Sequence, residues 1–381
     1  MTQTSKEELL REVKKRYLAA DYKTKGKILN EFCNNTGYHR KHAIRILAAG
    51  YAHKPLEQRK KRAFVYGTHL FQLIIKIWEL LEYPCGKRLQ PVLVSTAEAL
   101  ERSKEIPPLT EQVKEQLTDI SAHTLDNRLK RERQIRRLKR NRGTTRHGSL
   151  LKSSIPIRIT NWNTRRIGFM EMDTVAHNGG DPSGTFIYSL DMVEIASGWS
   201  EQIAVLGKGE QGIINAITEI RQHLPFELKG LDSDSGGEFV NWHMVRYCDR
   251  EKLFFTRSRP DRKNDNAYVE QKNYTHIRKW LGYRRYDTKE QEDLINDLYR
   301  NELRRFNNYF RPVMKIKSKE KVNNSVSRKK YDEALTPYQR LMNSKQIPLK
   351  VKTQLQKLYE SLNPVKLKAA IEAKLKRIQK S

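Results

Sequence analysis

Cysteine and long apolar runs are scarce in this sequence of 381 residues. Its three cysteines lie far apart and form no CxxC pair, which argues against a disulfide framework and fits a reducing compartment. No apolar run approaches the length of a membrane-spanning helix, and the first residues, MTQTSKEELL, are polar and charged. We therefore expect a cytoplasmic protein without a signal peptide or a membrane partner.

Positive charge is concentrated in two arms of the chain, whose formal net charge is +30. Residues 1–154 carry 33 Lys and Arg against 16 Asp and Glu, and residues 301–381 carry 21 against 6. Residues 155–300 are close to neutral, with 20 against 22. Because so large an excess is self-repelling without a counter-charged partner, the arms indicate a polyanion, most simply nucleic acid.

Two short helices around a glycine-bearing turn are predicted in an N-terminal domain over residues 1–55. Ile28 and Phe32 have helical spacing, the sequence NNTG interrupts the pattern, and Ile44 and Leu47 mark the apolar side of a second helix. This outline is typical of a DNA-binding helix-turn-helix, although any small helical hairpin would share it. On the first interpretation, the second helix would contact DNA through Arg40, Lys41 and Arg45.

A similar unit is predicted at 110–133, within a second helical domain over 65–133. Leu117 lies on one helix, and Ser121 is placed as the N-cap of the next. The strongly apolar helix at 70–83 is interpreted as core. Two such units in tandem favour DNA binding, and we predict contacts from Thr124, Arg128, Arg131 and Arg136.

Residues 134–154 are rich in Lys and Arg and contain no acid. This composition is typical of a basic linker rather than a packed element. Such a linker could follow a phosphate backbone or act as a disordered tether, and the two are compatible. On the first interpretation we predict further DNA contacts at Arg137, Lys139 and Arg140.

The pattern changes near residue 165 to strands joined by Gly, Asp, Pro and Ser turns. Three strand-like segments come first: RRIGFMEMDTVA, GTFIYSLDMVEI and GWSEQIAVL. A helix, a strand in ELKGLDSD, a second helix, a strand in KLFFTRS and a long helix follow. Three strands with short connections suggest an antiparallel start, and the alternation afterwards suggests parallel additions. The sequence therefore predicts an α/β domain with a mixed five-stranded sheet over 155–300.

Residues 301–381 show no clear core in their sequence. They are basic and polar, and they close with an amphipathic helix that has Leu367, Ile371 and Leu375 on one side and lysines on the other. This helix could dock a partner, lie on DNA or cap the body of the protein.

Three acids stand where such a fold could bring them together. Asp173 lies on the first strand, Asp234 at the end of the fourth, and Glu270 on the helix after the fifth. Three carboxylates at one point repel each other unless a cation lies between them, and Mg²⁺ or Mn²⁺ accepts all-oxygen ligands. Taken singly, each would more often be an ordinary surface acid.

Two further aspartates lie close to these acids in the sequence. Asp232 shares a strand face with Asp234, because strand side chains alternate. We predict Asp234 as the functional acid, since it lies nearer the strand end and beside Gly236 and Gly237. Asp191, on the second strand, is interpreted as structural first and supporting second.

Here the sequence resembles the Asp-Asp-Glu transposases and retroviral integrases. Asp173, Asp234 and Glu270 match the triad, and the 35 residues between the last two are the interval typical of that superfamily. FMEMDTVAH, SDSGGEF and TRSRPDRKNDNAYVEQKN are similar to segments of bacterial insertion-sequence transposases. The resemblance covers nearly the whole chain, is strong from about 165 to 285, and implies an RNase H-like integrase core.

What the resemblance implies is a DNA transposase. It would hydrolyse DNA at the ends of a mobile element and transfer the free 3′-OH into target DNA, with no covalent protein–DNA intermediate. The triad would be catalytic and would ligate two Mg²⁺ ions, for which Mn²⁺ substitutes. Lys272, Arg278 and Lys279, on the helix of Glu270, would hold DNA phosphates or be solvated helix charges.

The implied partners are double-stranded DNA, both the terminal inverted repeats of an element and the target, and further copies of this chain. A homodimer or larger assembly on DNA is expected because two ends must be joined. The implied location is the bacterial cytoplasm, in association with the nucleoid.

Two other functions stay open at this point. One is a DNA-binding regulator or an inactive, domesticated transposase, against which the complete set of acids argues. The other is a nuclease on the same fold, against which the paired helix-turn-helix units argue. Retroviral integrases begin with a zinc domain, but Cys33, His39 and His42 have no fourth ligand at a suitable spacing, so we expect no zinc.

Overall fold

The computed structural model describes residues 2–48, 66–136, 166–233, 239, 241–257, 269, 272–323 and 326–381. The chain divides into two compact units, Met1–Val65 and Tyr66–Ser381. Each unit has its own hydrophobic core. In the described part of the chain, no helix has both the length and the apolar character needed to cross a membrane.

Three helices form the first unit: α1 (Gln3–Ala19), α2 (Tyr22–Thr36) and α3 (Arg40–Leu47). The predicted turn ends α2 at Gly37, whose φ of 68° is left-handed and whose N–H donates to the Cys33 carbonyl. Glycine adopts this conformation without steric penalty, which explains the end of the helix.

One core residue of this unit was predicted wrongly. Ile44 is 43% exposed, whereas Ala43, Ile46 and Leu47 are buried against Phe32 and its neighbours. Positions three and four residues apart share a helix face, so Ala43, Ile46 and Leu47 form the buried stripe of α3. Ile44 therefore lies on the same exposed side as the basic residues of this helix.

Helices also open the second unit. The predicted core helix at 70–83 is confirmed as α4, in which Ile74, Ile77 and Trp78 are fully buried. The predicted N-cap is confirmed as well, because Ser121 Oγ accepts the N–H of Thr124 at 3.1 Å. The bounds are α4 (Thr68–Leu80), α5 (Gly86–Leu89) with a 3₁₀ turn (Gln90–Val92), α6 (Leu93–Arg102), α7 (Glu111–Asp119) and α8 (Ala122–Ile135).

A five-stranded mixed sheet follows, as the sequence predicted. Its order is β3-β2-β1-β4-β5; β1, β2 and β3 pair antiparallel, and β4 is parallel to both β1 and β5. The strands are β1 (Phe169–Ala176), β2 (Ile187–Glu194), β3 (Ser200–Leu206), β4 (Gly230–Ser233) and β5 (Phe254–Arg257), and the connecting helices are α9 (Glu210–His223) and α10 (Trp242–Arg250).

The two faces of this sheet differ in chemistry. Met170 and Met172 of β1 belong to an apolar cluster that includes α9 and α10. The alternate residues Glu171 and Asp173 point to the other face, because strand side chains alternate. A π-helical segment, Asn273–Arg278, packs against β1 and β2 on that second face.

The expectation that residues beyond 300 lack a core is wrong. Leu303, Phe306, Leu341 and Ile371 are fully buried in the cluster that also contains α4 and α8. The apolar residues beyond residue 300 are divided among short helices, which hides the helical periodicity in the sequence. The elements are α11 (Lys279–Leu281), α12 (Lys289–Leu298), a π-helical turn (Tyr299–Leu303), α13 (Arg304–Tyr309), β6 (Ile316–Asn323), β7 (Val326–Tyr331), α14 (Pro337–Asn343), α15 (Leu349–Ser361) and α16 (Pro364–Ile378).

The last helix caps the body, which was one of its three predicted roles. Ile371 and Ile378 of α16 are buried, and Leu367 is 9% exposed. Lys374 forms ion pairs with Asp297 at 2.5 Å and Glu302 at 2.7 Å. Part of the basic charge of this arm is therefore compensated inside the unit.

Candidate active site

Four carboxylates share the polar face of neighbouring strands. Asp173 of β1 pairs in register with Asp191 of β2, and Glu171 pairs with Asp232 of β4. Residues paired in register point to the same face, and Glu171 lies two positions before Asp173 on one strand. Together Glu171, Asp173, Asp191 and Asp232 form a carboxylate row. Burial of such a row is costly unless each acid has a hydrogen-bond donor.

The segment around Asn273 supplies donors to β1. Asp173 is half-buried; its Oδ1 accepts the N–H of Thr174 at 2.8 Å and its Oδ2 accepts Asn273 Nδ2 at 2.6 Å. Glu171 is fully buried, and its Oε2 accepts the N–H of Val269 at 3.2 Å. These bonds fasten the helical segment to the strand that carries Asp173.

The other two members of the row are fully buried. Asp232 accepts the hydroxyl of Thr256, on β5, at 2.5 Å. Asp191 Oδ1 accepts Gln202 Nε2 at 2.8 Å, whereas Asp191 Oδ2 has no hydrogen-bond partner among the described residues. Asp191 is thus the member of the row whose burial is least compensated.

Burial shifts the protonation of the groups around Asp191. It raises the pKa of Asp191 to about 7, against the lowering effects of Gln202 and Lys272. Burial, helped by nearby Arg311, lowers the pKa of Lys272 to about 7. His276 Nδ1 lies 3.8 Å from Asp191 Oδ1, and burial keeps the pKa of His276 far below its usual range. The imidazole is therefore neutral at physiological pH.

Two of the three predicted catalytic acids, Asp234 and Glu270, lie outside the described residues. Ser233, which precedes Asp234 in the sequence, pairs in register with Met172, which precedes Asp173. Within the described part of the chain, no three His, Cys, Asp or Glu side chains are grouped so that they could hold a metal ion.

On the first unit, the three predicted DNA contacts lie on α3. Arg40, Lys41 and Arg45 are all exposed. The Arg40 guanidinium hydrogen-bonds the side chain of Asn30, and Arg45 Nη2 lies 3.1 Å from His42 Nδ1. The exposed side of α3 is accordingly basic.

The residues predicted to contact DNA on and just after α8 differ in exposure and in their side-chain partners. Arg131 is exposed, whereas Arg128 is half-buried and lies over the ring of Phe71 at 5.4 Å. Arg136 pairs with Glu79 and Glu132 and lies over Trp78. Thr124 Oγ1 lies 2.9 Å from Ser121 Oγ, within the N-terminal cap of the helix. Three other predicted contacts lie outside the described residues: Arg137, Lys139 and Arg140.

The cations after Glu270 are not simply solvated helix charges. Arg278 donates to the Ala176 carbonyl at 2.7 Å, at the end of β1. Lys279 donates to the carbonyl of Glu82 at 3.1 Å and pairs with its carboxylate at 2.8 Å. Lys272 is half-buried. The contacts of Arg278 and Lys279 join this helical segment to the end of β1 and to Glu82, and a DNA role for all three stays a prediction.

Several residues of this face were missed in the sequence. Glu171 could have been found, because a strand places positions i and i+2 on one face. Gln202, Asn273 and His276 gave no comparable signal, since their roles depend on strand register and on the helix that crosses the sheet.

Comparison with known proteins gives one relative and partial structural likenesses. No family model matches the chain. The uncharacterized protein y4rM of Sinorhizobium fredii is 33% identical over 343 residues, which are 89% of this chain and 96% of that protein.

Two solved structures share part of the fold. One is the catalytic core domain of BIV integrase, with 17% identity and a TM-score of 0.25 over 30% of this chain and 68% of that chain. The other is an intasome of simian T-cell lymphotropic virus, with 14% identity and a TM-score of 0.33. That match covers 42% of this chain and 55% of the other, about half its length.

Proposed function

We propose that this chain, which belongs to the family of the Sinorhizobium fredii protein y4rM, is a DNA transposase. It would cleave DNA at the ends of a mobile element in a metal-dependent reaction and transfer the resulting 3′-OH into target DNA. Asp173, Asp234 and Glu270 are the proposed catalytic residues.

The observation that carries the proposal is the contact between β1 and the segment on either side of Glu270. Val269, immediately before Glu270, donates its N–H to Glu171, and Asn273, three residues after it, donates to Asp173. Ser233, immediately before Asp234, is paired with Met172 on the same strand. The described neighbours of all three proposed acids therefore meet on β1, which supports the triad taken from the sequence.

The chemistry of the donors fits a hard divalent cation. The acids of the row and the proposed triad offer carboxylate oxygens only, which Mg²⁺ and Mn²⁺ prefer. Asp191 Oδ2, buried and without a hydrogen-bond partner among the described residues, also indicates a face suited to positive charge. Asp173, Asp234 and Glu270 would hold the metal. When bound, two such ions activate a nucleophilic hydroxyl and stabilise the leaving oxygen of a phosphodiester.

The chain's own residues keep Asp173 in place. The amide of Asn273 and the N–H of Thr174 fix its two oxygens, and Glu171 fixes the backbone just before Glu270. Preorganised ligands of this kind reduce the reorganisation needed when substrate binds. Asn273 and Glu171 are thus positioning residues in the proposed reaction.

DNA would be gathered by the basic parts of the chain. The exposed side of α3 carries Arg40, Lys41 and Arg45, and a helix with exposed basic residues suits a DNA groove. The near-neutral middle of the chain contains the proposed catalytic face, while the exposed basic side of α3 supplies charge that attracts phosphates.

An end-cleavage and strand-joining assay tests this function. Labelled duplexes carrying the inverted repeats that flank the gene are incubated with the protein and Mg²⁺ or with EDTA. We expect 3′-end nicks and joined products with Mg²⁺ only, and neither product from Glu270→Gln. The matched control is Glu290→Gln, an exposed acid on α12, which should retain activity. Inactive wild-type protein on its true ends, or full activity of Glu270→Gln, would overturn the proposal.

A further inference from the structure

Strands β6 and β7 form a two-stranded hairpin in the second unit. Strands β6 and β7 pair antiparallel, and in the described part of the chain they make extensive contact only with each other. Isolated two-stranded ribbons are marginal in water and gain stability from a third element or a partner. The hairpin therefore has strand surface available for a ligand.

The root of the hairpin is firmly held. The N–H of Asp332 donates to the Lys315 carbonyl at 2.8 Å, and the N–H of Lys315 donates to Asp332 Oδ1 at 2.6 Å. Arg340 Nη1 then donates to Asp332 Oδ2 at 2.8 Å, and Arg340 Nη2 donates to the Val313 carbonyl at 2.9 Å. These bonds fix where the hairpin leaves the unit.

Lys315 also ties the root to the catalytic sheet. Its ammonium donates to the carbonyl of Ile195, at the end of β2. Burial lowers the pKa of Lys315 to about 8, while the charges of Glu194 and Glu171 act in the opposite direction. The hairpin therefore starts beside the end of β2, the strand that carries Asp191 of the carboxylate row.

The hairpin is strongly basic. Residues 315–331 contain seven Lys and Arg and one acid, Glu320. The register places Lys319 opposite Lys329, and Glu320 opposite Arg328. A net charge of +6 on one short hairpin favours a polyanionic partner. Lys317 and Lys330, whose exposure is described, both lie at the surface.

We propose that the β6–β7 hairpin is a DNA-binding arm that contacts the phosphate backbone beside the active site. A two-stranded ribbon has dimensions that the major groove of B-DNA admits, and its lysines supply the charge. This inference rests on the proposed function, which makes DNA the substrate. The inference adds a specific DNA-binding surface to that function: the arm would hold duplex DNA against the face that carries Asp173.

Duplex binding in EDTA, measured over a series of salt concentrations, separates this proposal from catalysis. The test variant is Lys317→Gln, Lys319→Gln and Lys321→Gln combined. The matched control removes the same charge from the exposed side of α15 and α16, by Lys350→Gln, Lys357→Gln and Lys376→Gln. A third variant, Lys317→Arg, Lys319→Arg and Lys321→Arg combined, keeps the charge. Circular dichroism and the unfolding midpoint verify the fold of each variant.

If the arm binds phosphates, the hairpin variant lowers the magnitude of the slope of log K against log salt by about three, one per lysine. Its affinity near 0.1 M salt should fall roughly tenfold or more, while the α15–α16 control and the arginine variant stay near wild type. If wild type binds and cleaves DNA but the hairpin variant and its control have equal affinity and slope, the proposal of a DNA-binding arm is wrong and the proposed function stands. Wild-type protein that does not bind duplex DNA would overturn both proposals.

Discussion

The two faces of the central sheet are built from alternate residues of the same strands, yet they have opposite chemistry. On one face Met170, Met172, Leu190 and Met192 pack against α9 and α10 in an apolar cluster. On the other, the carboxylate row of Glu171, Asp173, Asp191 and Asp232 lies next to Val269 and the π-helical segment Asn273–Arg278. One face contributes stability through burial, whereas the other buries charge at a cost.

The acids of the polar face are costly to bury. Each acid of the row has at least one donor, but Asp191 Oδ2 lacks a partner among the described residues. Apolar residues of similar size would stabilise such a position more than acids do. A row of acids among apolar residues of the same face, such as Val175 and Ile187, therefore favours a chemical role for these positions, in agreement with the proposed transposase.

The largest effect is expected when the polar face loses its central acid. Asp173→Asn preserves shape and the hydrogen bond from Thr174, but it removes the charge. Cleavage of element ends should fall by about 1000-fold or more, since a metal-held transition state depends on several kcal/mol of charge stabilisation. Asp249→Asn, an exposed acid on α10, is the control and should cleave normally. A comparable loss of cleavage in Asp173→Asn and Asp249→Asn would contradict a special role for the polar face.

A substitution in the apolar face should reduce stability and leave cleavage unchanged. Leu190→Ala, in the methionine-rich cluster, should lower the free energy of unfolding by about 2–5 kcal/mol, because it removes buried methyl groups and leaves a cavity. Urea denaturation measures the change. Cleavage per folded molecule should stay near wild type at temperatures where the variant is folded. A loss of cleavage in a folded Leu190→Ala protein would contradict the division between the faces.

A pH effect is expected from His177, farther along the polar side. Its imidazole is fully buried, with Nε2 2.8 Å from Ser189 Oγ, and burial lowers the pKa of His177 to about 3. Between pH 6.5 and 3 the unfolded chain binds a proton that the folded chain does not, so stability falls as pH drops. From pH 7.5 to 5, wild type should lose about 2 kcal/mol more than His177→Gln in denaturation experiments. Equal losses would show that His177 is not buried in its neutral form.

The smallest catalytic effect is expected at Asp232. This acid is buried and bonded to Thr256, whereas its neighbour Asp234 is the proposed ligand. Asp232→Ala should reduce cleavage roughly tenfold or less, and Asp234→Ala by about 1000-fold or more, because only the second removes a proposed metal ligand. Single-turnover cleavage rates compare the two variants. The reverse order would assign the ligand to Asp232.

Much of the sheet followed from the sequence because each strand carries its own apolar alternation and each connection its own turn residues. The side-by-side position of Asp173 and Asp191 did not, since register depends on pairing between strands that are separated along the chain. The core formed by Leu303 and Leu341 escaped prediction because short helices give little periodicity. The β6–β7 hairpin escaped it because the strands are mostly basic and polar, and Ile316 and Val322 are interrupted by Ser318 and Glu320 at the alternate positions between them.

Manganese binding tests the central claim most directly. Mn²⁺ is titrated into the wild-type protein, Asp173→Asn and the exposed control Asp249→Asn, and free Mn²⁺ is measured by electron paramagnetic resonance. If the polar face of the sheet is a cation site, wild type and Asp249→Asn bind Mn²⁺ alike, and Asp173→Asn binds it at least about tenfold more weakly. Equal binding by all three proteins would contradict the assignment of Asp173 as a metal ligand.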